Sequence, residues 1–557
     1  MEGVTRILLA LEVPVAMLFM SRQLMHYFQL ESYQFQGYFR TLWRQKKKVI
    51  WPLLRLSVVS LAVILGSSLA NELLRPETKN AVRYFNAREV QNQNQLYVGL
   101  AAFCVMAIFG FIMRYQALKA PAKKPFVVTA RVKRLYIIHI LVVIGIGLLI
   151  GLQPIGPVTI ALMVLYPLLL PFLVAVSALI ALPVEKLIFS LYFHDAQRKL
   201  LQNKGLIRIG ITGSYGKTST KFVLNTILSQ KYNVLCTPSS FNTPMGVTRI
   251  VRERLQPSHQ VFIGEMGARH VGEIKELSRL VHPQIGILTA VGPQHLDTFR
   301  TIERIEKTKY ELIEALPDDG YAVFVHDNDI VTRLYEKTGE GYGEKEKCLV
   351  GREGAEVWAE DVTVSATGSS FNLCFRDGEK ISCQTKMLGE HNILNILTAA
   401  AVAKHLKLTN AQIARGIQAL QPVEHRLQLL HSAGGVTVID DAFNTNPRSA
   451  KKALDVLKAF PGRRIIVTPG MVELGTEEEK YNEEFGCYMA DCVDIAVLVG
   501  KKHTAPIVKG LKEGGFKAEN IHVVSSLDEA IRLNQTMLKA GDVVMYENDL
   551  PDHYSEG

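Results

Sequence analysis

The sequence predicts an α/β protein, built of a P-loop domain and a Rossmann-like C-terminal domain and preceded by an all-α transmembrane domain. Three observations predict it. Apolar residues concentrate in the first third of the chain, in segments long enough to cross a bilayer. At 207–221 an alternating apolar run passes through a glycine turn into helical sequence. From 427 onward strand and helix patterns alternate. The expected divisions are 1–200, 203–422 and 423–557.

Composition narrows the classes. Of 557 residues 48% are hydrophobic, and the formal net charge is +10. Mean hydropathy is +0.12 and the pI about 9.0. The basic residues cluster in short loops beside apolar segments, where they set topology and meet lipid phosphates, so no nucleic acid is expected as a partner. The seven cysteines are scattered without a CxxC pair, which argues against a zinc ribbon or a thioredoxin-type site and for reduced thiols. No cleavable signal peptide is expected, because 7–20 lacks a small-residue cleavage site.

About five apolar spans are read, near 7–20, 50–69, 97–112, 135–152 and 158–182. Pro167 and Pro171 mark expected kinks in the last. Basic loops carrying Arg40, Arg44 and Lys46–Lys48, and Arg114, Lys119, Lys123 and Arg131, are expected on the cytoplasmic side. The intervening loop holds Arg75, Lys79, Arg83 and Arg88, so the contrast is modest. Five spans then put the N-terminus outside and the remainder of the chain in the cytoplasm, at the cell (plasma) membrane. Residues 189–201 read as an interfacial helix, with Tyr192 and Phe193 beside Arg198 and Lys199.

The strongest local signal is IRIGITGSYGKTSTK at 207–221. Ile207, Ile209 and Ile211 alternate as in a strand, and Thr212, Gly213, Ser214, Tyr215, Gly216, Lys217, Thr218 and Ser219 form a turn leading into a helix. Backbone N–H groups and the helix dipole there suit the phosphates of ATP. Lys217 would face the β- and γ-phosphates, and the Thr218 hydroxyl would face Mg²⁺. The pattern departs from GxxxxGK[ST], whose first glycine would fall at Ile211.

Further positions follow from strand ends and helix faces. In QVFIGEMG an apolar strand ends in Glu265, where an acid at the carboxyl edge of a parallel sheet can bind Mg²⁺; a plain strand-end acid is the alternative. His295 lies just past the strand expected at 285–291, where a structural histidine is the commoner outcome. In 301–316 the spacing 302, 305, 309, 312, 316 follows one helical face and turns Lys309 inward. Burial disfavours an ammonium, and a neutral lysine can take up CO₂ to become a carbamate; a snorkelling surface lysine is the alternative. Alternating strands are expected over 356–385, with Asp377-Gly378 as a hairpin turn. Asn392 and Asn395 share a helix face. Asp440, Asp441, Asn444 and Asn446 crowd one loop tip, where polar groups need solvent, cations or ligand; a helix cap accounts for Asn446 but not for the acids.

Taken together, residues 203–505 resemble the central and C-terminal domains of the Mur ligase family. The resemblance rests on ITGSYGKTSTK, FNTPMGV, VFIGEMGARHVGEI, AVGPQHLD, EKTKYELIEALP, GEHNILNILTAAAVA, VEHRLQ, IDDAFNTNP and PGMVELG, in that order. The family uses the shorter TGxxGKT/S loop. Within it the resemblance is to the MurF branch, which adds D-alanyl-D-alanine to a UDP-muramoyl tripeptide. It implies an ATP-dependent, ADP-forming ligase of peptidoglycan biosynthesis that works through an acyl phosphate. It implies two Mg²⁺ ions, with Glu265 and His295 as ligands beside Thr218, and a carbamylated Lys309. It implies adenine contact at Asn392, with His391 less sure, nucleotide contact at Arg426 and Asp441, and substrate contact at Asn242, Asn444 and Asn446. Catalysis would rest on Lys217, Lys309, His295 and Glu265.

Two departures bear on the substrate. Membrane spans stand where family members carry a UDP-sugar domain, which leaves the donor open between a carboxyl-bearing peptide and a lipid-linked precursor. The chain ends GDVVMYENDLPDHY, where the MurF branch has a Lys-Gly-Ser-rich segment, which leaves the acceptor open between an amino acid and a dipeptide. A poly-γ-glutamate-type ligase and a non-catalytic membrane scaffold are the alternatives.

Overall fold

A computed structural model describes residues 2–74, 81–118, 125–154, 156–238, 241–338, 345–365, 368–431, 434–443 and 445–549. The chain divides into two compact units, Met1–Ile188 and Phe189–Gly557.

The first unit is helical. Five helices are long and apolar enough to cross a membrane: Ile7–Leu30, Lys46–Leu73, Val90–Ala117, Ala130–Gly151 and Pro157–Gln202. They are longer than the expected spans. Where a continuous last span with kinks was expected, a 3₁₀ turn at Tyr166–Leu169 interrupts it, since Pro167 supplies no N–H and its ring crowds the preceding turn. The segment expected as a separate interfacial helix continues one helix, Leu170–Gln202, which carries Pro183 in its interior. The bundle core buries a polar chain in which His139 Nε2 meets Ser21 Oγ at 2.8 Å and Nδ1 meets Ser177 Oγ at 3.0 Å. Arg75, Lys79, Lys119 and Lys123 of the charge comparison lie outside the described residues.

The second unit holds two sheets. The strands of the first are β1 (Ile207–Thr212), β2 (Val234–Cys236), β3 (Val261–Glu265), β4 (Ile285–Leu288), β5 (Tyr321–Val325), β6 (Glu346–Val350), β7 (Val357–Ser365), β8 (Gly368–Phe375) and β9 (Lys380–Thr385). Their order is β2-β3-β1-β4-β5-β6-β7-β8-β9. Pairing is parallel from β2 through β7 and antiparallel across β7, β8 and β9. The pleat sends alternate residues to opposite faces. Ile209, Ile211 and Ile263 therefore join one core with the helix Glu390–His405, while Phe262, Leu288 and Phe324 join another with the helix Ile302–Glu314. The antiparallel strands read from 356–385 extend this main sheet through the Val350–Val357 bridge instead of forming a sheet of their own.

The second sheet comprises β10 (Gln428–His431), β11 (Thr437–Asp441), β12 (Arg464–Thr468), β13 (Ile495–Val499), β14 (Ile521–Val524) and β15 (Val543–Glu547), in the order β10-β11-β15-β12-β13-β14. All neighbours are parallel except β10 with β11. The edge strand β10 was not read from the sequence: four residues after a linker give too short an alternation to register.

Candidate active site

The phosphate loop, Glu265 and His295 lie at or past the carboxyl ends of β1, β3 and β4, the edge at which ligands bind in open parallel sheets. The loop after β1 owes its shape to two glycines. Gly213 has φ +148°, and a Cβ there would strike the Thr289 hydroxyl and come within 2.9 Å of Ala290 N. Gly216, at φ +78°, makes the left-handed turn that starts the helix Lys217–Leu228. Side chains brace the loop from outside. Thr212 Oγ1 donates to Met266 O at 3.0 Å, Ser214 Oγ to Gly292 O at 3.0 Å, and Tyr215 OH to Pro293 O at 2.9 Å. These three hydroxyls hold the loop together with the Ser214 amide, which donates to Ala290 O at 2.7 Å. Lys217 Nζ curls over it, donating to Gly213 O at 2.6 Å and Ser214 O at 3.2 Å. Burial pushes its ammonium down to about 8.

Glu265 is 1% exposed and fully partnered. Lys221 Nζ lies 2.9 Å from its Oε2, while Oε1 accepts from Thr218 Oγ1 at 3.2 Å and Asn242 Nδ2 at 3.1 Å. Asn242, expected at the substrate, thus faces the Glu265 carboxylate. Lys221 was missed by sequence reading, although its place one turn after Lys217 on the same helix face offered a signal.

Lys309 is 2% exposed on the helix Ile302–Glu314, as the inward spacing predicts. Among the described residues its Nζ makes no ion pair or hydrogen bond, and the nearest ring is Phe299, 6.0 Å from the centroid. Burial, then the field of Lys217, drive it well below its ordinary value. His295 starts a one-turn helix in the left-handed conformation, φ 51°. Its Nδ1 lies 2.5 Å from Glu473 Oε2, and its imidazole feels both Lys309 and Arg269. Burial pushes this imidazole below its ordinary value against the pull of Glu473.

A pocket of about 100 Å³ opens beside the loop, lined by Tyr215, Gly216, His391, Asn392, Asn395 and Asp441 among others. Asn392 and Asn395 are joined at 3.1 Å, and Thr220 donates to Asn395 at 2.9 Å. Burial pushes the His391 imidazole down to about 3, so it lines the pocket as a neutral ring. Arg426 lies over the Phe443 ring at 4.5 Å and also lines the pocket. In β11 the pleat separates the paired acids. Asp440 faces His425 at 2.7 Å, whereas Asp441 turns to the pocket and is pushed up to about 6 by burial.

Asn446 does not face the pocket freely. Its Oδ1 accepts from Arg448 N at 3.1 Å and Ser449 N at 3.0 Å, and its Nδ2 donates to Ser449 Oγ at 2.7 Å. The cap on the helix Pro447–Lys458 engages this amide. Asn444 lies outside the described residues.

No group of three His, Cys, Asp or Glu side chains able to hold a metal occurs among the described residues. Glu265, Thr218 and His295 could each supply one ligand, a buried neutral lysine would add two oxygens as a carbamate, and nucleotide phosphates would supply the rest. The residues therefore fit Mg²⁺ held jointly with nucleotide.

Comparison with known proteins agrees with this geometry. The Mur ligase middle domain matches residues 211–403, and the Mur ligase glutamate ligase domain matches 425–546. The chain is 32% identical over 363 residues to the UDP-N-acetylmuramoyl-tripeptide–D-alanyl-D-alanine ligase of Mycobacterium tuberculosis, covering 61% of this chain and 70% of the relative. It is 27% identical over 350 residues to the Bacillus subtilis enzyme of that name, covering 62% and 74%. Its fold is similar to MurF from Acinetobacter baumannii, with TM-score 0.59 and 27% identity over 66% of this chain and 78% of that one. It is also similar to Thermotoga maritima MurF in complex with ADP, with TM-score 0.58 and 25% identity over 66% and 82%.

Fold and site define an ATP-dependent, ADP-forming acid–amino-acid ligase that uses Mg²⁺. The chain belongs to the Mur ligase family.

Proposed function

We propose that this chain is a membrane-anchored ligase that couples ATP hydrolysis to amide formation, joining D-alanyl-D-alanine or a similar amine to a carboxyl-bearing peptidoglycan precursor. One observation carries the reading. A buried Lys309 lies in the field of Lys217 and acts on His295, while Glu265 acts on Lys217, beside the pocket that the phosphate loop lines. The relatives named for D-alanyl-D-alanine addition support the acceptor.

In this reading the precursor carboxylate attacks the γ-phosphorus of ATP, and ADP leaves. The acceptor amine then attacks the acyl carbon of the resulting acyl phosphate, inorganic phosphate leaves, and the amine proton passes to solvent. The loop amides and Lys217 hold the phosphates in line, and most of the rate enhancement is positioning and charge stabilisation. Two Mg²⁺ ions, when bound, would neutralise the charge gathering on the transferred phosphoryl group. Thr218 and Glu265 would hold one, and His295 with carbamylated Lys309 the other. Asn392, Arg426 and Asp441 would contact the nucleoside. Lys309 carbamylation joins the neutral amine to CO₂, forming an N–C bond and releasing one proton.

The five apolar helices support multi-pass insertion in the plasma membrane with residues from about 203 onward in the cytoplasm. Helices occupy the chain before both matched domains, and this favours a second reading in which the precursor is lipid-linked.

The test is phosphate release by the full chain in nanodiscs supplied with ATP, Mg²⁺ and D-alanyl-D-alanine, with UDP-linked and lipid-linked precursor in parallel. Release that requires precursor and acceptor together supports the reading, and the active precursor identifies the donor. Release with no combination, together with absent ATP binding, refutes it in favour of a scaffold. Alkaline carbonate washing of membranes tests anchoring, since a peripheral protein is extracted and a multi-pass one stays in the pellet.

A further inference from the structure

Glu473 is the acid of the PGMVELG stretch, in the domain matched by the C-terminal family model, yet its side chain reaches a residue of the middle domain. Its Oε2 lies 2.5 Å from His295 Nδ1, and its Oε1 lies 3.3 Å from Arg269 Nη2. His295 and Glu473 are 178 residues apart and only 16% and 14% exposed. Both hold left-handed backbones, φ 51° and 65°. For a glutamate that conformation is sparsely populated. The backbones also meet: a Cβ on Gly475, itself at φ 62°, would lie 3.5 Å from Leu296 C and Asp297 N. The strained turn therefore sets the carboxylate against the imidazole at close range.

A neutral imidazole carries one N–H, and the partner of one ring nitrogen decides which nitrogen keeps its lone pair. Histidines that bind metals commonly donate their other N–H to a carboxylate, which fixes tautomer and ring orientation. We propose that Glu473 is the positioning residue for His295: it accepts the Nδ1 proton and so presents the Nε2 lone pair to the second Mg²⁺ site. Because the carboxylate comes from the C-terminal domain, the ligand is oriented only while that domain is closed on the middle domain. Closure thereby completes the metal site at the moment it excludes water from the acyl phosphate.

The inference rests on the reading of His295 as a metal ligand, and the test separates the two. The full chain in nanodiscs, loaded with a non-hydrolysable ATP analogue, is titrated with Mn²⁺ and followed by electron paramagnetic resonance. ADP affinity is measured in parallel. For E473A the Mn²⁺ site that H295A abolishes is expected to weaken about 10- to 100-fold, with ADP affinity unchanged. E473Q, whose amide oxygen still accepts the Nδ1 proton, is expected to recover most of the loss. Wild-type Mn²⁺ affinity in E473A, with the site lost in H295A, overturns the role of Glu473 and leaves His295 a ligand. Unaltered Mn²⁺ binding in H295A overturns both. Loss of ADP binding in E473A shows general damage to the closed domain pair and also overturns the positioning role.

Discussion

Replacing Lys309 by methionine separates folding from function. Lys309 is 2% exposed, and desolvating its amine costs about 1–3 kcal/mol. Methionine has similar length and no polar head, so it keeps the packing against Phe299 and relieves that cost. K309M is therefore expected to be more stable than wild type by about 1–3 kcal/mol in CO₂-depleted, nucleotide-free buffer, raising Tm by about 2–4 °C per kcal/mol at domain size. The gain depends on pH. The folded-state pKa of Lys309 lies well below 10.5, so between the two values the unfolded chain holds the proton and the folded chain does not. Wild-type stability rises with pH across that window, and the advantage of K309M shrinks as the ordinary lysine value is approached. Activity should move oppositely, falling by at least about 100-fold with a preorganised metal ligand removed. Calorimetry of the full chain in nanodiscs across pH reads the first effect, and phosphate release reads the second. A carbon-13 carbamate signal from labelled bicarbonate should be present in wild type and absent in K309M. A variant destabilised like an ordinary core substitution, or one that keeps wild-type turnover, refutes the reasoning.

Three further outcomes follow from the geometry. G213A should abolish measurable ADP binding by calorimetry, because the new methyl is driven into Thr289 and distorts the phosphate loop. K221M leaves the Glu265 carboxylate buried without its cation and should cost about 3–5 kcal/mol, whereas K221M/E265Q should recover a large part; equal costs in single and double variants would sever the pair. D327A removes the partner of Arg448 at 3.0 Å and Lys452 at 2.9 Å, which face Asp327 from the helix Pro447–Lys458. It should weaken ADP binding and expand the molecule in small-angle scattering, with wild type approaching the variant as salt is raised.

Local pattern carried the strand, glycine turn and helix at 207–221, the inward slot of Lys309, the apolar helices and most strands of the C-terminal sheet. Each depends on a period of two or 3.6 residues, or on turn chemistry within a few positions, so neighbours in sequence suffice to show it. The edge strand β10 and the continuous helix Leu170–Gln202 escaped because one is too short for a period and the other depends on how Pro183 is accommodated. The cap that Asn446 forms was legible from the Pro447 helix start.

What the sequence determined by itself was the order of chemistries along the chain: apolar helices first, then a phosphate loop, then acids, a histidine and a lysine at strand ends and on a helix face. Which of them meet was decided by tertiary structure. Lys221 neutralises Glu265 across 44 residues, Asp327 holds Arg448 across 121, and Glu473 takes the imidazole of His295 across 178. Such pairings arise where two strand ends or two domains are packed together, and the energy that selects them is the cost of leaving a buried charge or N–H unanswered. That cost exists only once the chain has folded, so no local spacing could reveal it.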